Sequence, residues 1–174
     1  MLRASKAKTL IFVGNNVRAA ETAALFPEKR VLFAFTSAAG HREETYVDSV
    51  DLRKITIGPL AGEPSAEKMI GDLFAGTKYK VTYEPNMEDY LLCHAAFVLP
   101  AAFACYKTDG NLKKLKGNTG YLNRMIDAII EGYSVIRNAG HEILPKEDSE
   151  FEGAAYRKTC LRFFKLMCAT SLGK

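Results

Sequence analysis

The chain has 174 residues, enough for one domain or for one domain with a smaller attachment. Its composition, with 48% hydrophobic and 25% charged residues, is typical of an ordinary soluble globular protein. The net charge is +4, and the Lys and Arg residues are scattered along the chain. Nucleic-acid-binding proteins usually carry a basic stripe with interleaved aromatic residues, so this distribution disfavours nucleic-acid binding.

The chain begins with the pattern of a small α/β unit. Residues 9–13, TLIFV, are bulky and branched and predict a buried strand that ends at Gly14. A helix is predicted over residues 18–26, which stop before Pro27, and a second apolar strand over residues 30–36. Strand, turn, helix and strand at this spacing indicate a βαβ unit.

The next stretch is expected to complete a small sheet. Residues 37–45 have the composition of a loop, and alternation predicts two short antiparallel or edge strands after it. A helix with Ser65 as its cap and one more strand are expected to follow. The predicted strands lie at residues 46–50, 54–57 and 79–83, and the helix lies at residues 65–74.

A long apolar helix is predicted from residue 88 onward. Between residues 90 and 106 the polar side chains are those of His94, two cysteines and the two terminal tyrosines. A helix that is hydrophobic all round is buried in a protein core or in a membrane. This run is shorter than the about 20 residues of a spanning helix, so a buried core helix is favoured over a membrane helix. Pro100 predicts a kink near residues 96–99.

The remainder of the chain has a helical pattern. A turn at residues 108–111 leads to a short helix at 112–115, an amphipathic helix at 121–138 closed by Gly140, and a last helix at about 151–171. We therefore predict an α+β fold, with an α/β portion over residues 1–84 and a helical domain over residues 85–174.

The cysteines and histidines do not indicate a metal site. Cys93, Cys105, Cys160 and Cys168 lie in apolar helical patterns and are typical of small buried side chains in a reducing compartment. His41, His94 and His141 are too scattered for zinc, and a core position is the ordinary interpretation of His94. The apolar run at residues 9–13 is too short for a secretory signal. We expect a cytoplasmic protein without a metal.

The sequence contains no dinucleotide-binding GxGxxG motif and no P-loop. The turn Gly14-Asn15-Asn16 could bring backbone amides near a ligand. A turn that ends a strand without binding anything explains it equally well.

Several strings nevertheless resemble the ketopantoate reductase family, the NADPH-dependent 2-dehydropantoate 2-reductases. TLIFVGNN followed by AAETAALFPEKRVLFAFTSAAG is similar to the later part of that family's dinucleotide domain, and CHAAFVLPAAFACY, DGNLKKL and MIDAIIEGYSVIRNAGH are similar to its helical domain. The resemblance covers about residues 9–145. It implies a partial Rossmann-like portion followed by an all-α, 6-phosphogluconate-dehydrogenase-like C-terminal domain, and thus an oxidoreductase.

The resemblance also implies a cofactor, a substrate and a homodimeric assembly. The family's NADP-contacting asparagine falls in the turn after the first strand, so Asn15 is its best counterpart with Asn16 beside it, and a later backbone contact falls near Ala39. NADP, a 2-keto acid substrate and a homodimer are therefore expected by resemblance, and neither a nucleic acid nor a membrane is expected.

The family's catalytic residues are not retained. Its catalytic lysine lies nine residues before the motif proline, here Pro100, and falls on Leu91. Its two substrate-binding asparagines fall on Ala95 and Leu99. The duty of general acid could pass to His94, which lies nearly on the same helix face as Leu91.

Two hypotheses follow. The first is a divergent reductase of a 2-keto acid that is inactive as this chain alone, because the glycine motif is missing. The second is a non-catalytic helical module for dimerisation or for binding a small apolar ligand. The chain resembles the middle of a reductase, as a natural short form or as an excised fragment.

Overall fold

The computed structural model describes residues 2–169, apart from the side chains of Ala39 and His41. Four strands and five α-helices occur within this range, together with three short 3₁₀ helices. The strands are β1 Thr9–Val13, β2 Arg30–Arg42, β3 Val47–Gly58 and β4 Lys80–Tyr83. The α-helices are α1 Ala19–Ala24, α2 Glu67–Phe74, α3 Met87–Lys107, α4 Thr119–Asn138 and α5 Ala154–Ala169. The 3₁₀ helices are Leu2–Ala4, Leu112–Leu115 and Lys146–Asp148.

The chain divides into two compact units between Leu91 and Leu92, which we call the first unit and the second unit. The domain division predicted after residue 84 remains a prediction. A mixed sheet in the first unit and helices in the second agree with the predicted α+β class.

The first unit is built on a sheet with the strand order β1-β2-β3-β4. The outer pairs, β1 with β2 and β3 with β4, are parallel, and the central pair is antiparallel. The predicted βαβ unit is thus confirmed. Leu32 and Ile57 pack with Ile70 of α2 in one buried cluster, whereas Phe33 packs with Ala19 of α1 in another.

The central hairpin corrects the predicted loop at residues 37–45. β2 continues to Arg42 and pairs with β3, with a register shift between Thr36 and Ala38. The two short strands predicted at 46–50 and 54–57 form a single strand, β3. Between the two predicted segments, Arg53 adopts a left-handed φ of 52°. Ala and Gly residues without alternation can form strands when a neighbouring strand supplies hydrogen-bond partners, so local composition misled the prediction.

The second unit has the buried helix faces that the sequence predicts. The inward side of α4 is buried, and α5 contributes Tyr156, Cys160 and Phe164 to the same core. Gly140, at φ +91°, ends α4 as expected. The predicted end of the last helix at residue 171 lies outside the described residues. The buried side chains of α4 are Leu122, Met125, Ile126, Ile129, Tyr133 and Ile136.

The prediction that α3 is buried all round is wrong. Leu99, Phe103 and Tyr106 are 52%, 67% and 79% exposed. Pro100 lies inside the helix, and the kink predicted there stays a prediction. Among the described helices, α3 is the one whose length and composition would let it cross a membrane, a test that core helices of soluble proteins also pass.

Candidate functional site

The turn after β1 is placed where open α/β sheets usually bind ligands. Gly14 adopts φ +130°, and its N–H donates to the carbonyl oxygen of Ala34 at 2.9 Å, which closes β1 against β2. This turn lies at the carboxyl end of β1, beside the parallel strand β2, which continues past it to Arg42. A Cβ added to Gly14 would meet nothing within 4 Å, so there is open space on that side of Gly14.

The two asparagines of the turn have different surroundings. The Asn16 Oδ1 accepts a hydrogen bond from the Arg18 N–H at 2.9 Å, and its Nδ2 donates to Thr22 Oγ1 at 2.9 Å. These bonds hold the start of α1 to the turn, which is an ordinary structural role for asparagine. Asn15 is exposed and remains the better candidate to contact a ligand.

Ala39 lies on β2 at the same end of the sheet as Asn15. Val13, the last residue of β1, pairs with Ala34, so Ala39 extends beyond β1 by five residues, or about 16 Å at the usual strand rise. Its main chain pairs with Val50 of β3. A contact through the backbone of Ala39 would therefore come from the projecting part of the central hairpin.

His94, the predicted general acid, belongs to the second unit and is half-buried on α3. Burial lowers the pKa of its imidazole, which favours the neutral ring. Asn15, Asn16 and Ala39 belong to the first unit. The predicted cofactor residues are thus grouped at one end of one sheet, and the predicted acid lies in the other unit.

The three positions aligned with the family's polar residues differ in burial. Leu91 is fully buried and packs with Ala19, Phe33 and Met87 in the core of the first unit. Ala95 is buried, whereas Leu99 is half exposed. A lysine at position 91 would bury a charge among apolar side chains, which explains why leucine suits this position here.

The turn after β1 has only some of the features of a dinucleotide site. The open space beside Gly14 and the exposed Asn15 leave room for a ligand, but the sequence lacks the glycines that let backbone amides approach a pyrophosphate. Within residues 2–169, no group of three or more His, Cys, Asp or Glu side chains could hold a metal ion.

Solved structures resemble the chain over almost its whole length. The 2-dehydropantoate 2-reductase from Methylococcus capsulatus matches 90% of the chain with a TM-score of 0.64 at 13% identity. The dimeric ketopantoate reductase from Staphylococcus aureus matches 90% with a TM-score of 0.62 at 12% identity. The chain has the ketopantoate reductase fold. Such low identities establish the fold alone.

The ketopantoate reductase fold includes an N-terminal Rossmann-like domain and a C-terminal helical domain, which confirms the predicted fold class. The chain spans about half of the first two reductases, covering 48% of each. It covers 71% of a probable 2-dehydropantoate 2-reductase from Bacillus subtilis, with a TM-score of 0.51 at 16% identity. No family model and no curated protein matches the sequence.

Proposed function

We propose that this chain is part of a reductase that converts a 2-keto acid to a 2-hydroxy acid with NADPH. The observation that carries the proposal is the match of 90% of the chain to ketopantoate reductases. When bound, NADPH supplies the hydride that reduces the keto carbon. The chain's residues hold the cofactor at the turn after β1, through Asn15 and the backbone near Ala39, and supply a proton to the keto oxygen.

His94 is the proposed proton donor. Its position on α3, three residues after Leu91, replaces the lysine that the resemblance expects. Because burial lowers the pKa of His94, the protonated ring that can act as a general acid is populated mainly in acidic solution. A reaction that depends on His94 should therefore slow as the pH rises.

Residues 1–174 contain no glycine-rich phosphate-binding motif, so the proposal requires another segment to supply it. β1 is an edge strand of the sheet, with Ile11 and Val13 exposed by 37% and 62%. An edge strand carries unpaired backbone groups that accept another strand. Such a strand, added along β1 and followed by a phosphate-binding turn, would complete the cofactor site.

Complementation tests this proposal. The chain would be mixed with the part of the Methylococcus capsulatus reductase that it does not cover, and NADPH consumption would be followed with ketopantoate and other 2-keto acids. We expect no turnover from the chain alone and turnover from the mixture, lost in His94→Gln and kept in His141→Gln. A mixture that associates by calorimetry but neither binds nor oxidises NADPH would contradict the proposal.

Self-association is a second proposal, favoured by the exposed apolar side chains Leu99, Phe103 and Tyr106 of α3. Phe103 and Tyr106 also stack edge to face, with ring centroids 6.4 Å apart, so they form one patch. A second copy that covers this patch would remove apolar surface from water. Sedimentation should show a dimer that Phe103→Asp dissociates. Leu73 on α2 is also exposed, at 55%, and lies outside the patch, so Leu73→Asp should leave the dimer intact.

A further inference from the structure

Helix α4 carries an exposed stripe on the side away from its buried residues. The members of the stripe recur at intervals of three and four residues, so they lie on one face of the helix. All of them are exposed, and the apolar side chain of Val135 is exposed by 63%. We call this set the α4 stripe, and its residues are Arg124, Ala128, Glu131 and Val135.

A groove of about 370 Å³ between α3 and α4 adjoins the α4 stripe. Two residues of the stripe, Arg124 and Ala128, also line this groove, and so does Phe103 of the exposed α3 patch. The stripe, the groove and the patch are therefore one continuous surface, which lies within the second unit. Contiguous exposed apolar side chains are typical of an interaction surface. The full lining of the groove is Leu99, Pro100, Phe103, Tyr121, Arg124, Met125 and Ala128.

The two charged residues of the α4 stripe, Arg124 and Glu131, form no ion pair within residues 2–169. Asp127, the charged residue between them, instead pairs with Arg157 of α5 at 2.5 Å. An α-helix rises about 1.5 Å per residue, so Arg124 and Glu131 stand about 10 Å apart along the helix axis. A partner surface can therefore offer an opposite charge to each of them at a separate place.

The order of charges along the α4 stripe makes it complementary to a second copy of itself. In a dimer with two-fold symmetry, every contact between two residues occurs twice. An axis near Ala128 sets the two α4 helices antiparallel and brings Arg124 of each copy to Glu131 of the other. The small side chain of Ala128 lies at the crossing and lets the helices approach closely. The same register places Val135 of each copy beside Tyr121 of the other, at the groove.

We propose that a second copy of this chain docks antiparallel on the α4 stripe, with two ion pairs between Arg124 and Glu131 across the interface. Val135 of each copy covers the groove of the other, and the exposed patch at Phe103 lies along the same interface. This inference rests on the self-association proposed above and specifies its register and orientation. It does not depend on the proposed reductase chemistry.

Charge reversal on the full chain tests the register, with the dimer dissociation constant measured by sedimentation equilibrium. Arg124→Glu sets carboxylates against carboxylates at both ion pairs, and Glu131→Arg sets cations against cations. Each single variant should dimerise at least about tenfold more weakly than the unsubstituted chain. The double variant Arg124→Glu, Glu131→Arg restores opposite charges and should dimerise within about threefold of the unsubstituted chain. Both residues are exposed, so all three variants should fold, which circular dichroism checks.

An equimolar mixture of the two single variants is the sharper test. In the proposed register, Arg124→Glu offers two carboxylates and Glu131→Arg offers two cations, so the two proteins complement each other. The mixture should form a heterodimer, whereas each protein alone should remain mostly monomeric at the same concentration. Arg162→Glu is the matched control, because it reverses an exposed arginine of α5 outside the α4 stripe and should leave the dimer intact.

The outcomes separate this inference from the self-association on which it rests. A dimer that Phe103→Asp dissociates but that neither charge reversal weakens would overturn the proposed register and leave self-association standing. A chain that stays monomeric at all accessible concentrations, with no heterodimer in the mixture, would overturn both. If that monomer bound to phosphatidylcholine vesicles, the surface would be a membrane-binding one instead.

Discussion

A Cβ atom added to Gly132 of α4 would lie 2.9 Å from the Cβ of Ala96 on α3. Cβ atoms of folded proteins almost never approach so closely. The two helices are therefore so close at this point that only glycine, which has no side chain, fits on α4. The contact fixes the distance between two helices of the second unit, and both residues belong to that unit.

Gly132→Ala should destabilise the chain. The added methyl group must displace Ala96 or the helix backbone behind it, and overpacking of this kind costs about 1–3 kcal/mol of the free energy of unfolding. Gly120→Ala is the matched control in α4, because its Cβ would find only Asn118 Oδ1 at 3.8 Å. We expect the control to be neutral or slightly stabilising in urea titration. Equal stabilities of the two variants would show that the helices separate freely.

The two asparagines after β1 should respond differently to substitution. Asn16→Ala removes both side-chain hydrogen bonds at the start of α1 and should lower the free energy of unfolding by about 1 kcal/mol. Asn15→Ala changes an exposed side chain and should stay within about 0.5 kcal/mol of the unsubstituted chain. In the complemented reductase, Asn15→Ala should instead weaken NADPH binding. A loss of stability in Asn15→Ala would show that Asn15 has a structural role rather than a ligand-binding one.

His94 should make the chain sensitive to acid. Burial lowers the pKa of His94 in the folded state, so the unfolded chain binds more protons below the ordinary imidazole value of about 6.5. The stability that this residue contributes is present above that pH and is lost as the pH falls through the lower folded pKa. Urea titrations at several pH values should show a weaker acid dependence in His94→Gln. The same slope in both proteins would contradict the buried neutral ring.

Asp148 should give the folded chain the opposite pH dependence of stability from that given by His94. Burial and Glu147 raise the pKa of its carboxyl, so its stabilising contribution is greatest in acid and is lost as the pH rises through the folded pKa. Asp148→Asn removes the charge and keeps an acceptor for Tyr133 Oη. The variant should be more stable than the unsubstituted chain at neutral pH, by less than about 1 kcal/mol because solvent screens the group, and the gain should vanish in acid. Urea titrations at neutral and acidic pH measure both differences, and a loss of stability at neutral pH would show that the charge itself supports the fold.

One thiol should react before the others. Among the cysteines, Cys105 is partly exposed, and Cys93, Cys160 and Cys168 are buried. Burial also raises the pKa of Cys105, so labelling should be slower than that of an exposed cysteine and should accelerate in alkaline solution. Mass spectrometry should locate the first label at Cys105, and the fast phase should disappear in Cys105→Ser but not in Cys168→Ser.

The apolar runs of the sequence predict most of the fold. The strand at Thr9–Val13 was recognisable as a short run of bulky and branched side chains, and the amphipathic α4 was recognisable by its helical period. The hairpin beyond Thr36 was not, because Ser, Ala and Gly have no such alternation and are held in a strand by pairing with β3. Periodicity also says nothing about what covers a helix, so the exposure of Phe103 could not be predicted.

The functional residues, too, could be predicted from the sequence only in part. Asn15 and Asn16 are equivalent in the sequence, and only the hydrogen bonds of Asn16 with Arg18 and Thr22 separate their roles. A cavity of the second unit, lined by Phe97, Glu147 and Asp148 among others, could not be predicted because its lining comes from α3, a 3₁₀ helix and α5, which are far apart in the chain. The carboxylates near it carried no local motif. Convergence of distant segments is a property of packing, which no single stretch of sequence displays.

The sulfur of Cys93 lies 3.6 Å from the carbonyl oxygen of Glu142 and 3.4 Å from the backbone nitrogen of Leu144. The side chain is fully buried, so a reagent can reach it only after the segment that follows α4 has moved away from α3. When reclosing is faster than labelling, the rate at which Cys93 becomes modified measures the equilibrium of that opening. The chain thus contains its own reporter of how often the second unit loosens without unfolding.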